Sequence, residues 1–535
     1  MSAECTAFFR QGCGKQHGAA LMVMLVIMII GAAAILVSAL SSSSLQIERD
    51  KTTADALAKA RNALIAYAVS DPNRPGELPC PDFNNDGASV PIVDYNGSSC
   101  QSLVGWLPWK TLGLPDLRDG NGDRLWYAVA NPFHANGAAT FTLNSDTPTT
   151  YQSQMLTVQD GATGSTLQTN VVAVVFSSGT VLSGQIRSTN DNNATNAITN
   201  YLEGSNANPT SVITQTANNT TINDRLLTIG SNELMAPVEM RIAREAKRCL
   251  DNYAASNTYK RYPWAVPDTY PSTNQTGVYS TLFGRIAATP LTTTQPIDST
   301  ASTMLTALSS LQIALNNYSA NVNATTTSAL LSAGQTLATA AGNADNNPGT
   351  FQPYNYLTDQ AQNAGTSAQN LANGGSSVST VQNYVNSTNS SLISNNFIDG
   401  SMPIYWPSGC VFTSTYWNAW QNEIFYQLAS ADRPGSGLSA CNTSCLSITG
   451  SGNPNSGSGS YSAAVIVGRA HNASGSLTSN PPSYYLEGSN LHNSNQTYFT
   501  SPQLSQTFVT YNPGDPNFSS VNDLVLCLDG NNNCK

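Results

Sequence analysis

The chain repeats itself, and no other feature restricts its fold as much. "NYLEGSNAN" at 200–208 returns as "YYLEGSNLH" at 484–492, and "INDRLLTIG" at 222–230 returns as "VNDLVLCLDG" at 521–530. "VVAVVFSSG" (171–179) parallels "SAAVIVGRA" (462–470), and "DRLWYAVAN" (123–131) parallels "NEIFYQLAS" (422–430). The pairs keep one order, which predicts two modules of one plan, about 49–230 and 231–535. At 535 residues the chain is in any case too long for one ordinary core.

The plan is helix first, strands after. Ala54, Leu57, Ala58, Leu64, Ile65 and Ala68 recur at helical spacing, with Asp55, Lys59 and Asn62 on another face. Arg61 falls inside the apolar stripe, where its charge has to snorkel to water. The helix stops at or before "SDPNRPG". The second copy opens on its own helix, "NELMAPVEMRIAREAKRCLDNYAASN", and its "RYPWAVPD" parallels the earlier "GELPCPD". About 290–400 has no counterpart in the first module. Met304, Leu308, Leu311 and Leu315 lie there at helical spacing, which reads as weak amphipathic helices, with a partly disordered insert as the alternative.

Ahead of both modules runs an uncharged segment from Ala19 to Leu40, between Lys15 and Glu48. Its 22 residues, if helical, would rise about 33 Å against a bilayer core of about 30 Å. Arg10 and Lys15 precede it without a comparable basic cluster after it, so the expected orientation puts the N-terminus in the cytoplasm. A cleaved signal usually has a shorter apolar core, which favours retention here.

A short basic leader ending in Gly18, followed at once by "AALMVMLVIMIIGAAAILVSAL", resembles the leader of the type IV pilin and type II secretion pseudopilin superfamily. "LPCPDFNNDG", "GWLPWKTLGL" and "GDRLWYAVA" resemble a subgroup of large pseudopilin-like proteins. The resemblance implies cutting by a prepilin peptidase between Gly18 and Ala19, with Ala19 the new, N-methylated terminus. It also implies an α+β fold: a long N-terminal membrane-spanning helix (19–48) packed on an antiparallel sheet, then a second pilin-like α+β module carrying the helical insert. Most members have glutamate at the fifth mature position, where this chain has Val23. Subunits lacking it are typically minor ones, notably the large K-type placed at the filament tip.

Charged residues are only 10% of the chain and the formal net charge is −10, so clustered cations for binding nucleic acid are missing. Cys5 and Cys13 precede the apolar segment. Cys80, Cys100, Cys249, Cys410, Cys441, Cys445, Cys527 and Cys534 follow it, an even number on the side that would face an oxidising compartment. Short pairings 80–100, 441–445 and 527–534 would leave Cys249 with Cys410, although other connectivities stay open. Cys441-x3-Cys445 has no second pair nearby to complete a zinc site.

No zinc-protease helix, nucleophile elbow or phosphate loop occurs, and His134, His471 and His492 stand singly in Gly/Asn/Ser-rich contexts. Two oxygen-rich loops are candidate calcium sites. Asp82-x-Asn84-x-Asp86-Gly87 begins like an EF-hand loop but has Val93 where the terminal glutamate belongs, and Asp119-x-Asn121-x-Asp123 repeats the alternation. Plain turn formation is the competing reading of both.

These readings converge on a non-enzymatic minor pilin or pseudopilin. Its expected place is the inner membrane, single-pass with a periplasmic head, and then a periplasmic or extracellular filament, with other pilin subunits and the peptidase as partners. A pilus-borne adhesin, binding through the second module and its insert, is the alternative.

Overall fold

The computed structural model describes residues 17–89, 91–94, 97–134, 143–188, 190–208, 211–215, 221–257, 260–266, 282–290, 299–345, 355–394, 403, 405–429, 432, 445–449, 457–469, 484–488, 490, 507–509 and 522–529. Its first helix, α1 (His17–Ser70), leads into β1 (Pro91–Asp94), β2 (Gly97–Cys100), β3 (Val104–Trp106) and β4 (Trp126–Val129). The short α2 (Thr147–Thr150), β5 (Leu156–Asp160), the long β6 (Thr166–Ser177), the short α3 (Ala194–Ala197), β7 (Val212–Gln215) and β8 (Arg225–Gly230) complete the first module. β3, β4, β6 and β8 form a run of antiparallel neighbours, with Trp126 opposite Phe176 and Val174 opposite Thr228. The first half of β6 pairs instead with β5, and β5 takes β7 as a parallel neighbour.

The second module opens with α4 (Ser231–Ala255), directly after β8, and β9 (Phe283–Arg285). Four helices intervene, α5 (Ser299–Ala320), α6 (Ala324–Asp345), α7 (Asn355–Ala372) and α8 (Val378–Ser394). Then come the short α9 (Trp417–Trp420), β10 (Ile424–Leu428), β11 (Leu446–Thr449), β12 (Gly457–Tyr461), β13 (Ala463–Val467), β14 (Thr507–Val509) and β15 (Leu524–Leu528). Their order is β9-β10-β13-β15, all antiparallel, which matches β3-β4-β6-β8 strand for strand. The side elements match too. β11 pairs antiparallel with β12 and parallel with β14, as β5 does with the first half of β6 and with β7. The continuous β6 of the first module is split at Ser462 into β12 and β13 in the second.

Period-two chemistry explains why β13 and β15 read as unbroken apolar runs. Ala463, Val465 and Val467, with Leu524, Leu526 and Leu528, share a core with Val238, Ile242, Ala246 and Leu250 of α4. The alternate residues Ala464, Ile466, Val525 and Cys527 face a second core with Leu446, Ile448, Tyr485 and Leu486. A strand covered on both faces has no polar side to show.

α1 buries Thr53, Ala56, Leu57, Ala60, Leu64 and Ala68 in the first module, while Ala54 is exposed and Ala58 and Ile65 are half-buried. Arg61 does not reach freely to water. Its Nε donates to the Thr228 carbonyl at 3.0 Å and its guanidinium pairs with Glu233 of α4. The helix ends where Asp71 Oδ1 accepts the backbone N–H groups of Asn73 and Arg74.

The insert has a core of its own, with Met304, Leu308, Leu311 and Leu315 meeting Leu330, Leu337, Val381 and Val385. α6 and α7 approach closely because Gly334 and Gly365 lie against each other. A Cβ on Gly365 would stand 2.6 Å from the Gly334 carbonyl oxygen.

The expectation of a membrane-spanning helix over 19–48, and with it a single-pass inner-membrane placement, is overturned. Among the described residues no helix is long and apolar enough to cross a membrane.

Candidate functional site

Gly18 and Ala19 stand at the start of α1. Val23 is 59% exposed, within a stretch from Met22 to Ile30 whose side chains all lie open. The side chains from Ser44 to Arg49 are also exposed, and burial begins at Thr53. One helix therefore offers an unpartnered apolar surface at one end and anchors the first module at the other.

The two oxygen-rich loops meet at one corner of that module. Asp82 is buried, and its Oδ1 accepts the Asn84 backbone N–H at 3.1 Å while its Oδ2 accepts that of Gly87 at 2.6 Å. Gly87 has φ +89° and lies under the Trp109 ring, so this position requires glycine on both conformational and steric grounds. The Asn84 side-chain amide donates to Asp86 Oδ2 at 3.1 Å. In the second loop, Asp119 Oδ1 accepts the N–H groups of Asn121 and Asp123, and its Oδ2 accepts the Ser177 hydroxyl at 2.7 Å. Burial pushes the carboxyls of Asp82 and Asp119 above their ordinary range, against the hydrogen bonds that lower them.

Arginines join the loops. Arg124 donates to the backbone and side-chain oxygens of Asn85 and pairs with Asp116 at 2.9 Å. Arg187 pairs with Asp123 at 2.6 Å and lies over the Tyr201 ring. Together with Arg118 they line a cavity of about 150 Å³ beside Trp106 and Tyr201. The carboxylate oxygens of Asp82, Asp86 and Asp119, and one of Asp123, thus accept from the chain's own N–H, hydroxyl and guanidinium groups.

Cys80 and Cys100 are joined by a disulfide, as are Cys249 and Cys410. Cys445 and Cys527 are also disulfide-bonded, and Cys441 and Cys534 lie outside the described residues. His134 comes within 4.8 Å of the Cys80 and Cys100 sulfurs, but sulfurs bonded to each other are not thiolate ligands. His134 Nε2 lies 3.1 Å from Asn131 Oδ1. His471 and His492 fall outside the described residues.

Sequence reasoning missed the junction of the modules. Asn144 donates to Glu423 Oε1 and to the Ala419 carbonyl, and the Tyr485 hydroxyl donates to Asp146 Oδ2 at 3.0 Å. Arg241 of α4 donates to the carbonyls of Val69 and Asp71 at the end of α1. Only a run of polar residues at 144–147 signalled it, and such a run reads as a loop. No family model matches the chain, and neither does any curated protein or solved structure.

Proposed function

We propose that the chain is a non-enzymatic minor subunit of a pilin-like filament, of the type IV pilus or type II secretion kind. It enters through α1 and carries its two modules as a head at the tip. One observation carries the reading: α1 is a single helix whose far half packs under the first sheet while Met22–Ile30 stays exposed and apolar. Such a surface is stabilised by burial against like helices, at about 25 cal/mol per Å² removed from water. Other pilin subunits are the partners that supply those helices, and a prepilin peptidase is the partner that frees Ala19. The tandem head with its insert is too bulky to stack easily along a shaft, and Val23 lacks the carboxylate that would set register between neighbours.

The test is to shear filaments from cells making the tagged chain and determine the N-terminus of what co-purifies. Ala19 as the first residue supports the reading; Met1 or Ser2, an uncut chain, or Leu40, signal cleavage after Val37-Ser38-Ala39, would overturn it. Ile27→Asp should abolish recovery with filaments while leaving the melting of the head unchanged.

A second reading has its own support in the insert. α5–α8 close a core separate from both sheets, as a replaceable adhesive unit would. Deleting 290–400 should remove surface binding and leave filaments intact if the insert is an adhesin. Unaltered binding would exclude that role.

A further inference from the structure

The repeated "YLEGSN" and "ND" segments bring two acids together in each module. In the first, Asp224 Oδ2 accepts the Glu203 backbone N–H at 3.1 Å and the Asn206 amide at 2.9 Å, and Glu203 Oε2 accepts the Asn223 N–H at 3.1 Å. In the second, Asp523 Oδ2 accepts the Glu487 N–H at 3.4 Å and the Asn490 amide at 2.8 Å, and Glu487 Oε2 accepts the Asn522 N–H at 3.2 Å. The same atoms do the same work in both copies.

What remains is one unanswered oxygen per module. Asp224 is 2% exposed and Asp523 is 0% exposed, and Oδ1 of each accepts no N–H or O–H. Each aspartate accepts from its glutamate's own N–H while that glutamate accepts from the residue before the aspartate, which makes the two carboxyl groups of each pair close neighbours, and the glutamate's charge raises the aspartate. Two ionised carboxylates cannot share such a dry corner without a proton or a cation between them. Calcium takes six to eight oxygens, and in each pair the Asp Oδ2 and Glu Oε2 oxygens are already engaged by N–H groups. A proton needs only two. We propose that each module is latched by one proton shared between its two carboxyl groups, Glu203 with Asp224 and Glu487 with Asp523, so that closure of the last strand responds to pH.

The latch ties the turn before β7 or β14 to the residues immediately before β8 or β15, the strand that completes each antiparallel run. The charges around it leave the proton in place. Arg187 reaches Glu203 only through Gln185, which accepts from Arg187 Nη2 at 2.9 Å and donates to Glu203 Oε1 at 2.6 Å. Arg225, next to Asp224, is paired with Asp50 at 2.8 Å. In the second module Arg469 favours ionised Glu487 but is itself held by Glu239 at 2.8 and 2.9 Å. Burial first, and then the facing glutamate, push Asp224 up to about 8 and Asp523 well above its ordinary value. An acid raised by folding is protonated in the folded state over a range where the unfolded chain has released its proton. Its stabilisation is full below the ordinary carboxylate range and is lost as pH rises through the folded value, for Asp224 between about 4 and 8.

The experiment is urea unfolding of the full chain from pH 5 to 9, for the wild type and for Asp224→Asn, Asp523→Asn and the double variant. The asparagine amide donates where the shared proton did. The wild type should weaken as pH rises towards 8, by about tenfold in its folding constant per pH unit for each proton carried. Each variant should remove one proton's share of that dependence and keep its stability at pH 7. Infrared spectra of 13C-aspartate-labelled wild type at pH 7 should show a protonated carboxyl band that the double variant lacks, a measurement that stands even if a variant fails to fold. Overturning results are a wild type without that band, variants with the full pH dependence, or stabilisation by calcium that EGTA removes and Asp224→Asn abolishes.

Discussion

Asn144 in the first module donates its side-chain amide to Glu423 Oε1 in the second at 2.8 Å. Glu423 is buried, and its carboxyl is pushed well above the usual range by desolvation and then by Asp146. Asn144 Oδ1 accepts the Asp146 N–H, so the amide cannot turn round without losing a bond. Asn144→Ala should cost about 1–3 kcal/mol, the penalty for leaving a buried acceptor unmet. Asn144→Asp should cost more at pH 8 than at pH 5, because it places a third acid beside Asp146 and Glu423. Urea midpoints of the full chain at both pH values check this.

The two described disulfides close loops of very different length, with sequence separations of 20 for Cys80–Cys100 and 161 for Cys249–Cys410. Loop-closure entropy then assigns about 3 kcal/mol to the first and about 5 kcal/mol to the second. The insert folds inside the longer loop, so the second figure is an upper bound. Cys249→Ala with Cys410→Ala should lower the melting temperature more than Cys80→Ala with Cys100→Ala, as read by calorimetry on the full chain.

The duplication could be read from the sequence because side chains that make the same hydrogen bonds must recur as the same letters. "YLEGSN" supplies Glu203 and Asn206, then Glu487 and Asn490. The split of β6 into β12 and β13 could not be read, since both copies are equally apolar there and strand continuity depends on pairing across the sheet. Arg61 misled for a related reason: its partner Glu233 lies in the other module's helix, at a sequence distance no periodicity covers. An aspartate followed by Asn, Asp and Gly suits the start of a calcium loop and equally closes a turn; Asp82 closes one by accepting the N–H of Gly87, and the letters alone do not separate the two readings. The apolar run from 19 to 40 satisfied a length rule, whereas among the described residues no helix is long and apolar enough to cross a membrane.

Calcium and turn formation make opposite predictions for Asp119. With both of its oxygens on Asn121, Asp123 and Ser177, and with Arg187 on Asp123, EGTA should leave the melting midpoint unchanged. Asp119→Ala should destabilise by about 1–3 kcal/mol with or without calcium, since it strips acceptors from buried donors. A midpoint raised by calcium in the wild type and not in Asp119→Ala would reverse the assignment.

Gly120 and Gly122 flank the same loop and should fail differently. A Cβ on Gly120 would stand 2.3 Å from the Arg49 carbonyl oxygen and 2.6 Å from its Cα, backbone atoms of α1 that cannot swing aside. The Gly120 N–H also donates to Thr53 Oγ1 at 2.9 Å, which fixes the loop on the helix. Gly120→Ala should therefore overpack the joint and cost about 1–3 kcal/mol. Gly122 has φ +89° with open space around it, so Gly122→Ala should cost only the left-handed backbone penalty of about 1–2 kcal/mol. Limited proteolysis separates the two mechanisms. Gly120→Ala pries the loop from α1 and should speed cleavage between Ser44 and Thr53, whereas Gly122→Ala should lower the melting midpoint without exposing that stretch. Equal cleavage in both variants would mean that the loop does not hold the helix where it leaves the first module.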